Sequence, residues 1–244
     1  MSLQNETTNE SQLTPQQRQQ IEHAFQYVQR GWSLVMMPMK TKGPNHPGWN
    51  APSELVNTPE RVIKKLSQGL QNMGLVHQPS GTGAIDIDDE AWARFIFEEF
   101  GIDYDEIMDL GMRIKSKANR DKAIFAGVPE DLPLLKLGWP KQDARSPVDR
   151  TTIFEFRAGP NQDVLPPSQH PDGHYYTWAD GKSPSDFEDL PKIDLVGGEG
   201  GMFEALTKAL SLGKAVEGFT QKSPLFQSVL GRFGVNVQRE NRPN

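Results

Sequence analysis

The chain has 244 residues, 36% of them hydrophobic and 24% charged, enough to bury a core and consistent with one large domain or two small ones. Acidic residues outnumber basic ones 32 to 26, and the net charge of −6 excludes a wholesale basic coat for duplex DNA or an anionic membrane, so any nucleic-acid contact must be local. Cysteine is absent, which removes disulfides, zinc ribbons, iron–sulfur clusters and cysteine nucleophiles together; with five histidines and no HExxH, metal chemistry falls to carboxylate oxygens.

No apolar run approaches the roughly 18–20 residues that span a bilayer, and the start lacks both the basic and the apolar part of a signal peptide, so the expectation is a cytoplasmic protein without a membrane partner. Residues 1–13 are rich in Gln, Asn, Thr, Ser and Glu and read as a disordered lead-in. From 15 to 30, Ile21, Phe25 and Val28 recur at helical spacing behind Thr14-Pro15, an N-cap followed by proline at the first helical position, and Gly31 ends the helix. Residues 32–39 are a fully apolar run and predict a buried strand, followed by a turn-rich stretch over 40–52. A second helix is predicted over 58–70, then strands over 72–76 and 83–87 joined by a turn at 78–82. Residues 89–100 form an amphipathic helix, and an acidic stretch follows: from Asp89 to Asp109 eight acids face Arg94 alone, a local charge of −7. The sign then reverses, with Arg113, Lys115, Lys117, Arg120 and Lys122 against Asp121. Further strands are predicted over 112–115, 122–125, 152–156 and 164–165, before a proline- and glycine-rich loop over 166–173 and the aromatic Tyr175-Tyr176-Thr177-Trp178. A glycine joint at 196–201, a helix over 202–212 and a polar tail complete the chain, which divides into a lead-in (1–13), a body (14–195) and a terminal piece (196–244).

Four features carry chemistry. In Ala84-Ile85-Asp86-Ile87-Asp88-Asp89, strand alternation puts Asp86 and Asp88 on one face and the isoleucines on the other. Paired carboxylates suit a hard divalent cation, although turn aspartates capping the next helix would look similar. In Arg120-Asp-Lys122-Ala-Ile-Phe125, alternation aims Lys122 and Ile124 at one face and Ala123 and Phe125 at the other; a lysine beside a metal pair suits a triphosphate, whereas a solvated cluster is the plainer reading. Phe154-Glu155-Phe156-Arg157 offers a third carboxylate and a phosphate-binding guanidinium, or an exposed charged face over an aromatic core. The run from Pro166 through Ser168 and His170 to Trp178 is a stiff loop able to hold a base or sugar, or a tight turn before an edge strand. P-loop, GxGxxG and GxSxG motifs are missing.

Read in order, the features resemble one family. Gly31-Trp32 through Pro38 with Lys42-Gly-Pro44 and Trp49, Asn72 to Val76 leading into Gly83-Ala-Ile-Asp-Ile-Asp88, and Val164-Leu-Pro-Pro-Ser168 with His170-Pro171, Gly173, Tyr176 and Trp178 are similar to the N-terminal primase–polymerase (Prim-Pol) domain of bifunctional replication proteins from plasmids, phages and integrated elements, in the archaeo-eukaryotic primase superfamily. The resemblance implies an α+β fold, with an RRM-like antiparallel palm joined to a small α/β unit and the active-site cleft between them. It implies a DNA primase or polymerase working by two-metal nucleotidyl transfer. Asp86, Asp88 and Glu155 would hold two Mg²⁺ or Mn²⁺ ions, and Lys122, Arg157, Ser168, His170 and Lys42 would bind the nucleotide. Lys115, Lys117 and Arg120 would contact the template. Single-stranded DNA, dNTPs or NTPs and a replicative helicase domain or protein are the implied partners. Lys122 stands where the family usually has histidine, and Glu155 where it usually has aspartate. A different class, a catalytically degenerate module that binds nucleotide or single-stranded DNA and recruits a helicase, competes with this reading. A metal-dependent nuclease also fits the carboxylates alone, but not the Pro-Pro-Ser-x-His string.

Overall fold

The computed structural model describes residues 13–99, 103–117, 120–126, 135–140 and 150–192. The predicted lead-in up to residue 12 and the joint, helix and tail at 196–244 lie outside the described residues. In chain order the elements are α1 (Pro15–Gln29), β1 (Ser33–Met37), α2 (Pro59–Leu66), β2 (Asn72–Val76), α3 (His77–Ser80), β3 (Thr82–Ile87), α4 (Glu90–Glu99), α5 (Tyr104–Leu110), β4 (Met112–Lys117), β5 (Arg120–Ala126), β6 (Leu135–Pro140), β7 (Arg150–Arg157), β8 (Gln162–Leu165) and β9 (Thr177–Trp178). Among the described residues the strands form two antiparallel sheets, one ordered β1-β2-β8 and the other β6-β7-β3-β5-β4-β9, giving the α+β class that the resemblance implies.

Period-two alternation sorts the larger sheet into two faces. Ile85, Ile87, Ala123, Phe125, Phe154 and Phe156 lie on one, buried with Ala93 and Phe97 of α4 and Tyr104 and Met108 of α5. Phe97 meets the Phe154 ring edge-on at 5.3 Å, the favoured geometry for an aromatic pair. The opposite face changes character along its strands. Ala84, Met112, Ile114 and Ile124 pack against Met73, Leu75, Val164 and Leu165 of the smaller sheet and belong to the same core as α1 and α2. One register step further, Asp86, Lys122 and Glu155 replace them, and the two sheets part to leave a cleft.

Local signals explain most element ends. Thr14 accepts from Gln17 N–H at 3.2 Å while the Gln17 side chain accepts from Thr14 N–H at 3.0 Å, a capping box that starts α1. Three elements depart from expectation. The turn foreseen at 78–82 is the short helix α3, closed by Gly81 in the left-handed region at φ 62°. The acidic stretch contains α5, because Tyr104 and Met108, four residues apart, bury one helical face while Asp103 caps Glu106 N–H at 3.0 Å. The edge strand β6 was not foreseen; its pairing with β7 defines it. Among the described residues no helix is long and apolar enough to cross a membrane.

Candidate active site

β3 is hydrogen-bonded to β5 on one side and β7 on the other, and the register sets Asp86 opposite both Lys122 and Glu155. Three ionisable groups from three adjacent strands thus stand in one row across the sheet, and Ile114 of β4 extends it beside Lys122. Carboxylates directly opposite one another repel, so Asp86 and Glu155 need a cation between them. Arg157 takes that place: its Nη1 is 3.5 Å from Asp86 and 3.3 Å from Glu155. Lys122 reaches Asp86 from the other side at 3.4 Å.

Asp88 lies one residue beyond β3. Its backbone N–H and that of Asp89 both donate to Ile153 C=O at 2.9 Å, and its carboxylate pairs with Arg120 at 3.2 Å. Capping of α4 falls to Asp89, whose carboxylate accepts from Trp92 N–H at 3.2 Å, so Asp86 and Asp88 are not helix caps.

The deepest group is one that sequence reasoning passed over. Asp163 of β8, in the smaller sheet, is 1% exposed and hydrogen-bonded to Lys122 Nζ; its Oδ1 is 3.3 Å from Arg157 Nε and its Oδ2 2.8 Å from His77 Nε2. Burial alone would push its carboxyl upward, but Lys122, Arg157 and the His77 hydrogen bond outweigh that and hold it well below the usual carboxylate range. Burial also pulls the Lys122 ammonium down, and Asp163 with Asp86 more than reverses it, so Lys122 stays charged. Asp86 goes the other way: burial raises its pKa and outweighs Lys122 and Arg157, and Asp163 and Asp88 add to the rise.

The resulting cleft has a volume of about 200 Å³. Lys42, Lys117, Arg120, Lys122 and Arg157 line it together with Asp86, Asp88, Glu155 and Asp163, between walls that include Ile114 and Tyr176. Lys42 is brought in by Gln162, whose side-chain N–H donates to Lys42 C=O at 2.8 Å. Glycine at 74 leaves room for that crossing, because a Cβ there would run into the Gln162 side chain as it now lies and crowd Val35. Asn72, fully buried, donates to Thr41 C=O at 2.9 Å and to Gln169 C=O at 2.7 Å, tying together the two loops that carry Lys42 and His170.

Nine of the eleven site residues named from the sequence therefore line one cleft, and two do not. Ser168 is fully buried and does not line the cleft; its hydroxyl accepts from Met73 N–H at 2.8 Å and donates to Met73 C=O at 3.3 Å, which pins the Pro-Pro loop to β2. Lys115 is exposed and paired in register with Asp121, on the sheet face opposite Lys122. Lys117 does reach the cleft, because the ladder slips by one residue between Lys115 and Lys117. His170 lines the cleft, nine-tenths or more buried, and burial followed by the charge of Lys42 lowers its pKa, leaving a neutral ring at neutral pH. His170, Asp172 and His174 each bring one ligand atom within 4.8 Å of the others, but His170 Nδ1 accepts from Asp172 N–H at 3.1 Å and the Asp172 carboxylate is paired with Lys117.

A family model described as the N-terminal domain of bifunctional DNA primase/polymerase, Prim-Pol, matches residues 24–193. The chain belongs to this family. Every strand among the described residues and every residue of the cleft fall inside the matched segment. No curated protein matches the chain.

Proposed function

We propose that this Prim-Pol domain is a template-directed nucleotidyl transferase, the DNA primase or polymerase of a plasmid, phage or integrated element, with its six-stranded sheet as an RRM-like palm. The observation that carries the reading is the row Lys122–Asp86–Glu155 on three neighbouring strands, opening into a cleft that also gathers Asp88 and four further cations. Acids and bases interleaved in one small volume suit a ligand that arrives with its own cations and a larger negative charge, as a metal-bound triphosphate does.

The donor set fits hard divalent ions. Asp86 and Glu155 are oxygen ligands placed opposite each other, the burial-raised pKa of Asp86 marks a carboxylate undercompensated by the protein's own cations, and Asp88 lines the same cleft. Two Mg²⁺ or Mn²⁺ ions held by Asp86, Asp88 and Glu155 would supply activation of a 3′-hydroxyl and neutralisation of the departing pyrophosphate. The chain's own residues do the rest. Lys122 and Arg157, now paired with Asp86, offer their charge to triphosphate oxygens once that carboxylate is otherwise engaged, Lys122 as a point charge and Arg157 as a two-pronged donor. Lys42 and the neutral His170 flank the same space from the loops, suited to the triphosphate and the sugar. Lys117 and Arg120, more exposed at 37% and 44%, form the rim over which a single-stranded template would pass. A replicative helicase, in the same polypeptide or another, is the partner such a local basic rim calls for.

The test is template-dependent incorporation of labelled dNTPs and NTPs with Mg²⁺ or Mn²⁺, with and without primer, alongside a folded Asp86→Ala/Asp88→Ala variant. Product from the native chain alone supports the transferase. No product from either, with metal-dependent dNTP binding retained, transfers the reading to a nucleotide-binding module that recruits a helicase.

A further inference from the structure

We propose that Asp163 and His77 are a positioning pair: Asp163 pins the Lys122 ammonium in the cleft and His77 pins Asp163, neither of them touching the ions or the reacting atoms. The inference rests on the cleft being a metal–nucleotide site, and it assigns its fourth carboxylate a role different from that of the other three.

The oxygens of Asp163 are already engaged. Oδ1 accepts from Lys122 and lies 3.3 Å from Arg157 Nε, and Oδ2 is 2.8 Å from His77 Nε2. A carboxylate so occupied makes a poor metal ligand, whereas Asp86 holds its two cations only at 3.4 and 3.5 Å. His77 is wholly buried, and its second ring nitrogen, Nδ1, is 2.9 Å from Thr82 Oγ1. A carboxylate can only accept, so Nε2 carries the proton, and in the neutral ring Nδ1 accepts from the Thr82 hydroxyl. The imidazole thus has one orientation and one tautomer available, as in rings that orient a functional group through their far nitrogen.

The chain of contacts also crosses between the sheets. Asp163 is on β8 of the smaller sheet, Lys122 and Arg157 on β5 and β7 of the larger one, and His77 sits in the link between β2 and β3 that joins them. A lysine side chain ends in a freely rotating point charge, and with Asp86 alone it would collapse onto that carboxylate and compete with an incoming ion. With a second carboxylate on the other side, the ammonium is held between Asp86 and Asp163. That places a fixed positive charge beside the acids, ready for a triphosphate oxygen.

The experiment is a double-mutant cycle of Asp163→Asn and Lys122→Met, read by calorimetric binding of dATP with Mn²⁺, by Mn²⁺ binding alone, and by urea unfolding of the metal-free protein. Asp163→Asn should weaken dATP binding by about 10- to 100-fold, the range seen when a residue that orients a functional group is removed. Most of that loss should vanish in the Lys122→Met background, because contacts that act through one another are not additive. His77→Leu should mimic Asp163→Asn, and His77→Gln, whose amide can still donate to Asp163, should restore most of the binding. Equal losses in both backgrounds, or loss of Mn²⁺ binding itself in both, would make Asp163 a metal ligand and overturn the proposal. If the native chain binds no metal–nucleotide, the reading of the cleft fails; the unfolding cycle still decides, by the presence or absence of Asp163–Lys122 coupling, whether Asp163 holds the lysine.

Discussion

Replacing Asp86 by Asn should make the metal-free protein more stable at neutral pH, and the local electrostatics set the sign. The carboxylate is partly buried, faces Glu155 across the register and has Asp163 and Asp88 nearby; against these stand Lys122 at 3.4 Å and Arg157 at 3.5 Å. Burial is the largest influence and raises its pKa above the ordinary 3.8. A folded-state pKa raised above the unfolded one means that the folded protein binds the proton more tightly, so the stability it confers is present in acid and is lost as pH rises through the folded value. Above the unfolded value the native chain therefore carries a penalty for Asp86 that grows toward neutral pH, and the Asn variant carries none. The variant does take a partner from Lys122 and Arg157, but both keep Asp163, which limits that cost. Relieving a functional-site conflict of this kind is worth about 0.5–2 kcal/mol, and each kcal/mol moves the midpoint of a chain of this size by about 2–4 °C. Calorimetry across the acid-to-neutral range should show a gain for Asp86→Asn at neutral pH that disappears in acid. Added Mg²⁺ should reverse the order, since an ion at a hundred times its dissociation constant stabilises the native chain by about 2.7 kcal/mol and the variant by much less. A variant less stable than the native chain at neutral pH without metal, or equal stabilisation of both by Mg²⁺, refutes the reasoning.

Ser168→Ala should cost about 1–3 kcal/mol in urea unfolding, by orphaning the buried Met73 N–H, while leaving the KM for nucleotide unchanged; a raised KM with intact stability would return Ser168 to the substrate site. In single-stranded DNA binding, Lys117→Ala and Arg120→Ala should each lower the slope of log affinity against log salt by about 0.7, and Lys115→Ala, on the opposite face, should not. Gly74→Ala should destabilise by about 1–3 kcal/mol, because the added methyl displaces Gln162 from its hydrogen bond to Lys42 C=O; a neutral result in unfolding would show that Gln162 has another seat.

Much of the fold was legible because its signals are local. Thr14-Pro15 opens α1, the apolar run in β1 is buried, and strict alternation in β3, β5 and β7 put Asp86, Lys122, Glu155 and Arg157 opposite the phenylalanine and isoleucine core. What stayed hidden lacked such a signal. α5 is a helix of seven residues whose two buried side chains sit among three acids and an aspartate cap, and β6 is a strand through its partner.

By itself the amino-acid sequence determined which side of each strand a residue faces, because the period of two is a property of the extended backbone. It also determined, through the strings around Asp86 and Ser168, the family to which the chain belongs. Only the tertiary structure decided which residues stand level with one another, because strand order and register are long-range choices settled by packing. Asp86 meets Lys122 and Glu155 through pairings spanning about 36 and 69 residues of chain, a distance over which local pattern carries no register information. The same holds for Asp163: it lies just before the strand predicted over 164–165 with no local signal of its own, and only the apposition of the smaller sheet to the larger one makes it the buried partner of Lys122. Ser168, the most suggestive hydroxyl in the sequence, went the other way, because β2 lies close enough to claim both of its hydrogen bonds.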